Sequence, residues 1–222
     1  MGKFRNLVGG IMTGDDWTGD PHKFCVELTK VMVERYHVRT VFNVEVTKVS
    51  NGRLEFLSDG ALLKEGGYDH VVISNGHEIT KFARQQGDTL NVYPIKGYSI
   101  TIDGVGVEAP SVSLLDDDKK IVTSKLGNRL RVAGTAEIAG VNHDVRRERI
   151  DPLLLWVRKN FPGVDTSTYS QWACLRPMNS NMMPIVRESS VGGVWYHGGH
   201  GHLGWTLSPA TGLILAELIN SK

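Results

Sequence analysis

Gly198-Gly199-His200-Gly201-His202-Leu203-Gly204-Trp205-Thr206 is the stretch on which the architecture turns. Before it runs Gly193-Val194-Trp195-Tyr196-His197, apolar and aromatic like a buried strand. After it Leu207, Ala210, Ile214 and Leu218 recur on one face of a helix that starts at about Thr206. Strand, glycine-rich turn and helix in that order place the free N–H groups of a helix N-terminus beside backbone that carries no side-chain bulk. Gly199, Gly201 and Gly204 satisfy G-x-G-x-x-G, but the sequence closes after one helix. The following strand and acidic residue that a dinucleotide-binding unit needs are therefore not present downstream. Two readings of the turn stay open: a tight structural connection, or a positive helix end offered to an electron-rich ligand.

Working outward, His70 to Ser74 holds Val71-Val72-Ile73, a short buried-type strand stopped by Asn75-Gly76. Asp20-Pro21 starts a helix, with Asp as cap and Pro at the first position, and Phe24, Leu28, Val31, Met32 and Tyr36 predict one inward face. Residues 38–49 are β-branched, Asn51-Gly52 is a hairpin turn, and 54–57 resumes the strand. Between Tyr93 and Gly134 the chain changes character. Short strand-like runs at 98–102, 111–115, 121–124 and 130–133, separated by Gly, Asp and Asn, predict an antiparallel sheet. Asp151-Pro152 then predicts a helix start, and Pro162-Gly163 its end. The fold class expected is α+β.

Composition narrows the function classes. With 41% hydrophobic and 22% charged residues the 222-residue chain can bury a core, so disorder is excluded. A net charge of +1 removes the electrostatic argument for nucleic acid. Cys25 and Cys174 form no CxxC pair, which fits a reducing, cytoplasmic compartment. Met1 is followed by Gly2-Lys3-Phe4-Arg5-Asn6 rather than a signal-like apolar run, and no stretch reaches the roughly 18 apolar residues of a membrane span. Any membrane association is expected to be peripheral, at the inner face.

Three groups of side chains invite chemistry. His197, His200 and His202 lack a nearby Cys or carboxylate and sit on a turn, so no metal site is expected. Arg176, in Leu175-Arg176-Pro177-Met178 at a strand end, could present a bidentate fork to a carboxylate, or could simply pair with an acid at the core rim. Lys96-Gly97-Tyr98 after Pro94 reads, taken alone, as a turn into a strand.

Taken together, five segments resemble the D-amino-acid dehydrogenases, within the wider group of D-amino-acid oxidase, glycine oxidase and sarcosine oxidase. They are Thr18-Gly19-Asp20-Pro21-His22-Lys23-Phe24, Tyr93-Pro94-Ile95-Lys96-Gly97-Tyr98-Ser99-Ile100-Thr101, Val132-Ala133-Gly134-Thr135-Ala136-Glu137, Leu175-Arg176-Pro177-Met178 and Gly199 to Thr206. Their order and spacing match the family across nearly the whole chain.

The resemblance implies FAD as cofactor and oxidative deamination of a D-amino acid to a keto acid. It implies that Gly199, His200, Gly201, His202, Leu203, Gly204 and Thr206 approach the flavin, with Val46 and Gly76 near its dinucleotide half. Arg176 would hold the substrate carboxylate, and Tyr98 would stand with it as a catalytic residue. Residues 1–80 and 176–222 would be the remainder of an FAD-binding domain, interleaved with an antiparallel-sheet substrate domain at 81–175. Two departures matter. The family's chains begin with a β-α-β unit whose glycines hold the FAD pyrophosphate, and this sequence starts after it. Weak FAD binding by the chain alone, and a partner chain or self-association through an exposed apolar face, are the expectations that follow. A non-catalytic portion, or a sarcosine- or glycine-oxidising relative, is the alternative. Beyond Met178, Asn179-Ser180-Asn181-Met182-Met183-Pro184 replaces the family's Thr-Pro-Asp-Gly turn, so the loop near the substrate is expected to differ in shape.

Overall fold

The computed structural model describes residues 9–222, so the amino-terminal run read for a signal segment lies outside the described residues. Its elements are α1 (Pro21–Tyr36), β1 (Val44–Ser50), β2 (Arg53–Ser58), β3 (Ala61–Gly66), β4 (Val71–Ile73), α2 (Ile79–Gln85), β5 (Val92–Ile102), β6 (Leu114–Asp116), β7 (Ile121–Leu126), β8 (Arg129–Ile138), α3 (Arg147–Asn160), β9 (Ser170–Asn179), β10 (Ile185–Glu188), β11 (Val194–Gly198) and α4 (Gly204–Asn220). They make an α+β fold with sheets in the orders β1-β2-β3, β10-β11-β4 and β6-β7-β8-β5-β9. The chain divides into two compact units. One comprises the described residues up to Leu28 with Lys96–Leu175, the other Thr29–Ile95 with Arg176–Lys222.

In the first unit, alternation along β8 sends Leu130 and Val132 into a core with Tyr98, Ile100 and Ile102 of β5 and Ile150, Leu153 and Val157 of α3. Gly134 lets α3 close on β8, since a β-carbon there would lie 3.0 Å from Leu153 Cδ2. The helix begins at Arg147, four residues before the Asp151-Pro152 start that the sequence predicts. Burial of Ile150 draws the preceding turn into the helix, and Pro152 is carried inside it.

In the second unit, Gly52, at a φ of +66°, closes the predicted two-residue hairpin, with Ser50 opposite Arg53. The strand expected over 38–49 begins only at Val44, because Asn43 takes a left-handed φ of +58°. β4 and β11 run parallel, β10 antiparallel to β11, and Val71, Ile73, Val194 and Tyr196 bury against Ile79, Phe82 and Ala83 of α2.

Two helices form where the spacing predicts and pack differently. Asp20 Oδ1 caps α1 by accepting from the N–H groups of His22 and Lys23, but no residue of α1 is buried, and Phe24, Leu28, Val31 and Tyr36 are exposed. Helical periodicity states which residues share a face, not whether another element covers it. In α4 the buried row is Thr211 and Leu215, with Leu207 half-buried, while Ile214 and Leu218 face outward. Among the described residues no helix is long and apolar enough to cross a membrane.

Candidate functional site

Because β4 and β11 are parallel, with Ile73 opposite Tyr196, the turns that leave them emerge at one edge of the sheet. Chain crossing from the carboxyl end of a parallel strand into a helix is where open sheets place ligands. From β4 the chain passes Gly76, at a φ of +70°, where a β-carbon would meet nothing within 4 Å. From β11 it passes Gly198 to Leu203 into the seventeen-residue helix α4.

That second turn is held from three sides. A β-carbon on Gly198 would stand 2.9 Å from Ile79 Cδ1. Gly199 and Gly201 take φ values of +72° and +58°, open to glycine at little cost. A β-carbon on Gly201 would lie 2.5 Å from the sulfur of Met178, and Met178 forms an antiparallel bridge with His200. Gly204 has an ordinary helical φ, and its nearest neighbour, His200 Cβ, lies at 3.4 Å from the ideal β-carbon. His202, Leu203 and Thr206 are exposed at the mouth of the turn.

Two of the histidines, His197 and His200, bond within the turn and its helix. His197 Nε2 and His200 Nε2 each lie 3.0 Å from the hydroxyl oxygen of Thr211, whose proton goes to the carbonyl of Leu207 at 3.0 Å. With its one proton on a carbonyl, the Thr211 hydroxyl can only accept from the imidazoles, which assigns Nε2–H to each ring. Burial lowers the His197 pKa, and burial followed by the nearby His197 charge lowers that of His200. Thr211, in mid-helix, carried no sequence signal for this role.

Arg176 is half-buried on β9, two residues before Met178 and therefore on the same side of the strand. Since Met178 packs against Gly201, β9 brings that side of the strand to the glycine turn. β9 is an edge strand, where Pro177 is tolerated. The other expected residues belong to other elements. Val46 is on β1, half-buried against the second unit's core and lining a groove of about 470 Å³ with Arg39, Glu65 and Tyr68. Tyr98 is 1% exposed in the first unit's core and donates to Glu137 Oε2 at 2.5 Å. Burial and that carboxylate push the Tyr98 hydroxyl up to about 12. Glu137 in turn accepts from Arg146 at 2.6 Å, while the fully buried Lys96 donates to Asn142 at 2.6 Å.

Among protein families, the one described as DAO, FAD dependent oxidoreductase, matches residues 2–218. The chain belongs to this family. It is 47% identical to D-amino acid dehydrogenase 3 of Mesorhizobium japonicum, over 98% of this chain and 54% of that protein. With the D-amino acid dehydrogenase of Vibrio atlanticus it shares 32% identity over 97% of this chain and 52% of that protein. The chain thus spans about half the length of the curated relatives it matches. Among solved structures, glycine oxidase from Geobacillus kaustophilus superposes with a TM-score of 0.69 at 24% identity, covering 81% of this chain and 48% of that one. L-proline dehydrogenase from P. horikoshii gives 0.72 at 14% identity, covering 89% and 55%. At these identities the likeness is one of fold alone.

Proposed function

We propose that this chain supplies the substrate-binding and flavin-contacting portion of an enzyme that uses FAD to oxidise D-amino acids to imino acids, which water converts to keto acids and ammonia. The observation that carries the reading is the placement of Arg176 on the side of β9 whose Met178 locks the glycine turn.

The residues present fit a flavin edge. Gly76 opens onto free space at the carboxyl edge of the β4–β11 pair, and the turn into α4 ends with exposed His202, Leu203 and Thr206. The N-terminus of α4 would favour negative charge on a bound ring. Bound FAD would accept the two electrons that leave the amino acid as its Cα–N bond becomes C=N, with loss of two protons. The chain's own part is binding and orientation. The Arg176 guanidinium would hold the substrate carboxylate by a planar fork and so fix the Cα hydrogen, and positioning of that kind supplies much of such a reaction's acceleration. The neutral His197–Thr211–His200 cluster would keep the turn in place without adding positive charge. Tyr98, buried on Glu137, would brace the core of the antiparallel sheet rather than touch the substrate. A partner chain, or the further length seen in the relatives, would complete the cofactor contacts and cover the exposed apolar row of α1.

A substrate screen tests the reading. Flavin-loaded protein, with the partner chain or further length that completes the cofactor contacts in place, should turn over D-amino acids and not their L-enantiomers when mixed with an artificial electron acceptor. Turnover confined to glycine and sarcosine, or reduction by none of these compounds, would contradict it.

A further inference from the structure

On the sheet of the first unit, opposite the side chains that pack on α3, lies a groove of about 360 Å³. Its walls carry Lys23, His22, Arg129, Arg131 and Thr101, with a single carboxylate, Asp20. That carboxylate is fully engaged. Its Oδ1 accepts from the N–H groups of His22 and Lys23, and its Oδ2 accepts from Arg129 Nη2 at 2.7 Å. Arg131 projects from β8 on the same side as Arg129, two residues away, and its guanidinium is not one of those paired with a carboxylate among the described residues. The guanidinium of Arg131 is instead held 4.9 Å over the ring of Trp172. Stacking of that kind orients the planar fork and leaves its N–H edge available.

Two neighbouring guanidinium groups and an ammonium around one spent carboxylate leave a positive excess in a partly desolvated groove, an arrangement that repels itself until an anion enters. Burial and the charge of Arg129 push the Arg131 pKa down against the pull of Asp20, in keeping with that repulsion. We infer that this groove is a binding site for a small oxyanion, a carboxylate or phosphate group, gripped by Arg131 and Arg129 with Lys23 at its rim. The site is built wholly from one unit and does not depend on the flavin reading.

Side-chain Nε–Hε resonances of the ¹⁵N-labelled chain, titrated at low ionic strength with succinate and separately with inorganic phosphate, test this. A saturable shift of the Arg131 resonance is expected with one of them, and the anion that binds more tightly identifies the source. Arg131→Gln should weaken that binding about tenfold or more, since it deletes the bidentate contact. Lys23 is exposed at the start of α1, so Lys23→Gln leaves the fold intact and should weaken binding several-fold. No saturable shift with either anion up to about 50 mM, weaker than a specific charged pair would bind, would overturn the inference. So would affinity unchanged in Lys23→Gln.

Discussion

The sulfur of Met178 stands 2.5 Å from the point a β-carbon on Gly201 would occupy, and Gly201 holds a φ of +58°. Alanine there meets both a left-handed backbone and a filled space. Gly201→Ala should cost about 1 to 2 kcal/mol for the backbone alone, with more for displaced Met178. Gly204 differs, since its backbone is helical and its surroundings ordinary, so Gly204→Ala should be neutral or stabilising by up to about 1 kcal/mol. Chemical denaturation of the two variants measures the contrast. Equal losses would mean that Met178 does not set the turn.

A second prediction concerns pH. His197 and His200 are neutral on Thr211 in the folded chain, with pKa values below the ordinary 6.5. The unfolded chain therefore binds more protons in the window from about 6.5 down to the lowered folded values. Stability should be fully present above pH 6.5 and be lost as pH falls through that window. Thr211→Val, which keeps the shape and deletes the hydroxyl, should cost about 1 to 3 kcal/mol by leaving two half-buried imidazole donors unpaired. Thermal melts from pH 8 to 5 check both statements; a flat profile, with Thr211→Val as stable as the parent, would show that the cluster does not hold the turn.

Tyr98 offers a third. Its hydroxyl is spent on Glu137 inside the core, so Tyr98→Phe should lower stability by about 1 kcal/mol and leave substrate affinity unchanged. The discriminating readout is the ratio of KM to kcat effects in flavin-loaded protein. A large rise in KM with an unaltered melting temperature would place the hydroxyl against the substrate instead.

How much of this was legible in the sequence follows from how local each signal is. β11, the glycine turn and α4 were readable because apolar run, glycines and helical spacing lie consecutively in the chain. β5, β7 and β8 were readable from alternation. Of β9 the sequence shows a strand end at Arg176 but neither its start nor its continuation to Asn179, because Ser170-Gln171-Trp172-Ala173-Cys174 does not alternate and Pro177 interrupts the run, although an edge position tolerates both. α2, seven residues long, is too short to display a helical period. The parallel pairing of Val194 with Val71 joins residues far apart in the chain, and so does the bond between Arg129 and Asp20, 109 positions away. No pattern within one segment encodes such pairings, so the sheet edge that receives the turn, the role of Thr211 and the cationic groove emerge only from the folded chain. The outward rows of α1 and α4 belong to the same class, since periodicity does not reveal what covers a face.

The most direct test of the central claim is steady-state kinetics and flavin content of Arg176→Gln in flavin-loaded protein. If Arg176 holds the substrate carboxylate beside the glycine turn, KM for D-amino acids should rise about tenfold or more, as charge-assisted bonds worth roughly 1.5 to 3 kcal/mol are lost. Arg176→Lys should recover part of the loss, and flavin content should match the parent's. An unchanged KM, or loss of the flavin itself, would contradict the account and leave Arg176 as a structural residue of β9.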